Sequence, residues 1–172
     1  MLEIERTYLA KSLPENIKEL PCKETIDIYL PSKINGHAPL RIRKQGDKFE
    51  ITKKYRLNED DGSQLIEETI NLTKNEFDLL SEEIKGLRVE KSRYIFEYED
   101  KTAEIDIFKG DLEGLVIIEF EFGTEEEMKE FKMPDFCLAD VTEEKFIWGG
   151  VLCRSTYADL EPKLNEFGYK KF

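Results

Sequence analysis

Apolar and polar residues alternate along much of this chain with a period of two, the mark of strands whose side chains switch faces at every position. From Met1 to Leu9 the alternation sets Glu3 and Glu5 on one face, which Leu2, Ile4 and Tyr8 do not share. Strand-like runs follow over Glu24–Leu30 (Ile26, Ile28 and Leu30 opposite Asp27 and Tyr29), Leu40–Lys44, Phe49–Tyr55, Leu65–Leu72, Arg88–Glu97, Ala103–Phe108 and Leu115–Phe122. Turn signals separate them: Gln45-Gly46-Asp47-Lys48 reads as a hairpin turn, and Asn58 to Ser63 and Lys109-Gly110-Asp111 as further turns. Helical spacing is rarer. Thr73-Lys74-Asn75-Glu76 is a capping box, continued by Phe77, Leu80 and Ile84 until Gly86 ends the helix. Thr124 caps a short helix with Met128 and Phe131 on one side, Ser12–Leu20 reads as a short helix or turn, and Thr142–Trp148 as a helical turn that Gly149-Gly150 interrupts. The tail to Phe172 is expected to be helical in part. Without repeats or a linker, the expectation is one domain over residues 1–172, of α+β class but mainly β. It is an antiparallel sheet curled into a barrel with flanking helices.

Composition narrows the partners. The 172 residues carry a formal net charge of −12, which argues against a nucleic-acid or anionic-membrane surface. Cys22, Cys137 and Cys153, odd in number and widely spaced, fit reduced thiols, and no run approaches a membrane-spanning length or a leader. A cytoplasmic location is the default expectation. The single histidine, His37, stands in the turn-like stretch Asn35–Pro39, which leaves little room for a histidine-rich zinc site or a Ser-His-Asp centre. No Gly-rich phosphate loop is present.

What changes the picture is where the charges fall. Arg41 with Arg43, Thr52 with Lys54, and Lys91 with Arg93 share strand faces; so do Glu3 with Glu5, Glu104 with Asp106, and Glu119 with Glu121. For one strand, such a face is most simply a solvated one. Glu119 and Glu121, however, interrupt the apolar run Leu115–Phe122, and a strand so apolar belongs in the middle of a sheet, where like charges require opposite charges or a metal. A barrel with a charged, wet lumen accounts for all the pairs together. Guanidinium forks and ammonium groups suit phosphate oxygens, and carboxylates opposite them suit Mg2+ or Mn2+, which bridge phosphate oxygens. The combination points to phosphoryl chemistry on a triphosphate.

Taken in order, Glu3-Ile4-Glu5-Arg6, Leu40-Arg41-Ile42-Arg43, Thr52-Lys53-Lys54, Glu90–Tyr94, Glu104–Phe108, Glu119–Phe122 and Asp140–Lys145 resemble the motifs of the CYTH, or triphosphate tunnel metalloenzyme, family over nearly the whole chain. The resemblance implies a closed eight-stranded antiparallel β-barrel and divalent-metal-dependent action on a triphosphate such as tripolyphosphate or ATP. It implies metal binding by Glu3, Glu5, Asp106, Glu119 and Glu121, with Glu67 and Glu104 as possible assistants. It further implies a grip on substrate by Arg41, Arg43, Lys54, Lys91, Arg93 and Lys145, with Glu3, Glu5, Lys54 and Glu119 closest to the chemistry. Thr7 stands where the family keeps lysine, and Ile147 and Gly149 where bacterial triphosphatases commonly have Tyr and Asn. Asp27 with Tyr29 is nearer to the cyclase and thiamine triphosphatase branches. The compact stretch from Lys11 to Lys23 resembles the bacterial inorganic triphosphatases. Hydrolysis of inorganic triphosphate is therefore expected, beside two alternatives: cyclase or thiamine/nucleoside triphosphatase activity, and a non-catalytic polyphosphate- or nucleotide-binding module. A homodimer is left open.

Overall fold

The structure, a computed structural model, describes residues 2–30, 40–58, 61–84 and 87–172. Among them lie nine strands: β1 Leu2–Ala10, β2 Cys22–Leu30, β3 Leu40–Gln45, β4 Lys48–Asn58, β5 Asp61–Asn71, β6 Leu87–Tyr98, β7 Lys101–Phe108, β8 Val116–Phe122 and β9 Cys137–Asp140. They pair antiparallel in the order β5-β4-β3-β2-β6-β7-β8-β1-β9, and a further β5–β1 pairing closes eight of them into a barrel. One edge of β1 runs along β8 from Ile4 opposite Phe122 to Leu9 opposite Ile117. The other edge is divided: β5 takes Leu2 to Ile4, and β9 takes Tyr8 to Ala10. Between them the Val141 N–H donates to the Thr7 carbonyl at 2.8 Å, and the Thr7 N–H donates to the Thr142 hydroxyl at 3.1 Å. Closure leaves few edge groups unpaired, as the backbone requires.

Helices α1 Lys74–Glu83, α2 Glu125–Glu130, α3 Gly149–Leu152 and α4 Tyr157–Glu166 complete the described elements, with three 3₁₀ turns at Ile17–Glu19, Gly110–Leu112 and Lys145–Ile147. The capping box forms as its sequence dictates: the Glu76 N–H donates to the Thr73 hydroxyl and the Thr73 N–H to the Glu76 carboxylate. Gly46, at φ 57°, makes the two-residue β3–β4 turn.

Two apolar cores lie outside the barrel wall. Ile4, Tyr8, Ile105, Ile118 and Phe120 pack beneath Met128 and Phe131 of the α2 segment, and Ile28 and Ile42 pack beneath Phe77 of α1. A third core fills one end of the lumen. There the inward residues Leu9, Tyr29, Val89, Phe108 and Ile117 meet Val141, Ile147, Leu152 and the apolar side of α4. Burial on three sides frees the remaining lumen for charge, an inversion of the usual small barrel in which the inside is the core.

Some expectations change. Strand β9 carries no two-residue alternation and is not among the expected strands; it is recruited by the free half-edge of β1. Gly149-Gly150 opens α3 instead of interrupting a helix, and the helical turn before it shrinks to Lys145–Ile147. α1 stops at Glu83, with Ile84 already extended. Gly86, Pro39 and His37 with its turn lie outside the described residues, as do residues 59–60 of the β4–β5 turn.

Gly149 is where Tyr29 closes on the C-terminal segment. A Cβ there would stand 1.9 Å from the Tyr29 hydroxyl oxygen and 2.8 Å from the ring carbon bearing it. Overpacking of this kind costs about 1–3 kcal/mol, so Gly149→Ala is expected to lower the melting temperature by several degrees. Tyr29→Phe in the same chain should recover part of that loss in a thermal melt; no recovery would remove the clash as its cause.

Candidate active site

Strand alternation turns the paired charges of β1, β3, β4, β6, β7 and β8 into the lumen. A cavity of about 230 Å³ is lined there by every expected site residue except Lys145. Lys145 is exposed on its 3₁₀ turn, its ammonium 5.9 Å from the Trp148 ring centroid.

The wall formed by β6, β7 and β8 is a charge network. Arg93 donates through Nε to Asp106 Oδ1 at 2.7 Å and through Nη2 to Asp106 Oδ2 at 2.5 Å and to Glu119 Oε2 at 2.6 Å. Its Nη1 bonds Glu104, and the Lys91 ammonium bonds Asp106. Burial works to raise the Asp106 carboxyl, but Arg93 and Lys91 outweigh it and bring the pKa down to about 2. Glu119 responds the same way: burial raises it, and Arg93 and Lys91 prevail and lower it. Lys91 is lowered by burial and by the neighbouring guanidinium of Arg93.

On the opposite wall Arg43 makes a two-pronged contact with buried Asp27, at 2.6 Å and 2.8 Å. Asp27 is held far below the usual carboxylate range, because Arg43 and Arg41 overcome the burial that would raise it. Arg41 is held by longer ion pairs, 4.0 Å from Asp27 and 3.6 Å from Glu67, with Tyr29 beside it, and its buried Nε has no hydrogen-bond partner.

Lys54 stands between Glu3 and Glu5, its ammonium 2.8 Å from an oxygen of each. Burial alone would lower its pKa, but Glu5, Glu3 and Glu119 raise it instead. Glu5 is raised by burial, then by Glu119 and Glu3, with Lys54 opposing. Glu121, exposed at the open end, is raised by desolvation and by Glu104, Glu3 and Glu5. Burial is the larger cause for both carboxylates, and neighbouring carboxylates add to it. The described lumen is short of positive charge in its count, since eight carboxylates face five cations.

As placed, no three His, Cys, Asp or Glu side chains among the described residues gather closely enough to hold a metal ion. The donor set nevertheless fits a hard divalent cation: Glu3, Glu5, Glu104, Glu119 and Glu121 offer only oxygen, and the wall carries excess negative charge.

A 147-residue alignment at 31% identity, spanning 84% of this chain and 92% of the other, relates it to an inorganic triphosphatase of Nitrosomonas europaea. The chain belongs to the triphosphate tunnel metalloenzyme (CYTH) family. An inorganic triphosphatase of Acetivibrio thermocellus is 37% identical over 73 residues, 42% of this chain and 46% of that one. The crystal structure of an inorganic triphosphatase superposes with a TM-score of 0.65 at 30% identity, covering 89% of this chain and 95% of that one. No general family model matches the sequence. The closed barrel is thus that of the family, and Asp27 and Arg56 are inward-facing charges beside the expected pairs. Neither belongs to the set of site residues that the family motifs imply. The signal for both was present in the alternation, since Asp27 shares a face with Tyr29 and Arg56 follows Lys54 by two.

Among the described residues no helix is long and apolar enough to cross a membrane.

Proposed function

We propose that this protein is a divalent-metal-dependent triphosphatase that hydrolyses inorganic triphosphate, or a related small triphosphate, in the barrel lumen. The observation that carries the proposal is the excess of lumen carboxylates over the cations beside them. A polyanion entering alone would meet net negative charge, whereas one entering with divalent cations satisfies both sets of groups. In this reading Glu3, Glu5, Glu119 and Glu121, assisted by Asp106, Glu67 and Glu104, would hold Mg2+ or Mn2+, which would neutralise charge on phosphate oxygens.

The chain's own groups then have separate tasks. Arg41, Arg43, Lys91 and Arg93 grip the phosphate chain from two walls, and Arg41, whose ion pairs are the longest of the four, keeps an unpartnered Nε for it. Lys54 remains an ammonium and balances charge on the oxygen released when the bridging P–O bond breaks. Glu3 and Glu5, side by side on β1 with Lys54 between them, orient the attacking water. The products are orthophosphate and pyrophosphate.

The test is a substrate panel with Mg2+ or Mn2+. Phosphate release from tripolyphosphate supports the proposal. Cyclic AMP from ATP, or binding without turnover, overturns it in favour of a cyclase or a binding module. Arg41→Ala is expected to raise KM for tripolyphosphate by about tenfold, the equivalent of one charge-assisted contact; an unchanged KM would remove Arg41 from the grip.

A further inference from the structure

We infer that Arg56 is a substrate-binding residue, holding an outer phosphoryl group of the triphosphate at a side opening of the barrel. The inference rests on the triphosphatase reading above.

The opening follows from the divided edge of β1. β5 covers that edge only to Ile4 and β9 begins at Tyr8, so between them the edge is met only at Thr7, by the Val141 N–H and the Thr142 hydroxyl. A cavity of about 150 Å³ lies there, walled by Thr7, Leu65, Thr142 and Trp148 together with Arg56. Arg41, Lys54 and Glu119 line both this cavity and the lumen, so the two spaces adjoin.

Arg56 reaches the cavity because it lies two residues beyond Lys54 on the inward face of β4, opposite Leu65 of β5. Its guanidinium carbon is 4.4 Å from the Trp148 ring centroid, a stack that fixes the head group at the rim. Its Nη2 lies 3.3 Å from Glu143, whose side chain is 58% exposed. Ion pairs to exposed carboxylates are weak and exchangeable, and a guanidinium edge is better matched by a multiply charged phosphate. Thr7 of β1 lines this same cavity and supplies no charge. Arg56 brings a cation to that space from the neighbouring wall.

Kinetics with tripolyphosphate and Mn2+ test the assignment. Arg56→Gln is expected to raise KM about tenfold with kcat within about twofold, and Arg56→Lys to restore part of the difference. Glu143→Gln removes one competing carboxylate and should lower KM; it keeps the test decisive if Arg56→Gln folds poorly. Adding Thr7→Lys to Arg56→Gln should bring KM back toward the parent value. A parent enzyme that turns over while Arg56→Gln or Glu143→Gln leaves KM unchanged overturns the role of Arg56 alone. A parent that hydrolyses no triphosphate overturns the reading on which it rests.

Discussion

Glu119→Gln is expected to lower metal-dependent turnover of tripolyphosphate by about 10²–10³-fold, the range typical for loss of one preorganised electrostatic contact at a reaction centre. Glutamine keeps the volume and one carbonyl oxygen, so packing against the β7–β8 wall is preserved. What disappears is a negative charge in a partly buried position that lines both the lumen and the side cavity. That charge is coupled to Arg93 at 2.6 Å and contributes to the raised affinities of Glu5 and Lys54 for protons. Arg93 keeps its two bonds to Asp106, so the substitution does not strand it. The variant should therefore melt within a few degrees of the parent. A Mn2+ titration followed by turnover checks the result, with weaker metal activation expected alongside the lower rate. Full activity in Glu119→Gln would sink the assignment of β8 to the reaction centre.

The strands of this barrel were legible because each charged pair sits at i and i+2 within an apolar run, as in Leu40-Arg41-Ile42-Arg43 and Ile118-Glu119-Phe120-Glu121. Alternation reports the face a side chain takes, and a closed barrel brings one face of every strand to a common axis. Glu3, Lys54, Lys91 and Asp106 therefore meet in the lumen though they are far apart in sequence. Alternation cannot report what long-range pairing decides. β9 exists because half an edge of β1 is left open, and α3 begins at a Gly-Gly pair because Gly149 must admit the Tyr29 hydroxyl. Partner choice was equally hidden. Asp27 reads as one polar residue on a strand, yet in the barrel it takes both prongs of Arg43 and stands 4.0 Å from Arg41. Lys145 shows the converse, since its motif places it in the site while the short 3₁₀ turn carries it to the surface beside Trp148.

Asp106→Asn should produce the largest change in stability. Asp106 is 1% exposed and accepts from both Arg93 nitrogens and from Lys91. Removing its charge leaves two buried cations side by side, and breaking a buried pair in this way costs on the order of 3–5 kcal/mol. For a chain of this size that is a fall in melting temperature of roughly 10 °C. The effect must depend on pH. In the unfolded chain Asp106 titrates near its ordinary value of about 3.9, whereas in the folded protein its pKa is about 2. Between those values the unfolded state binds the extra proton, so stability falls as pH is lowered through that window. The contribution is complete above about pH 5 and is lost as pH approaches 2. The gap in melting temperature between parent and Asp106→Asn should therefore be widest near neutrality and narrow on acidification. Adding Lys91→Met removes one of the stranded charges and should return part of the lost stability at neutral pH. A neutral-pH gap of under 2 °C, or a gap that is flat with pH, would mean that Glu104 and Glu119 suffice to hold Arg93 and that Asp106 does not anchor the wall.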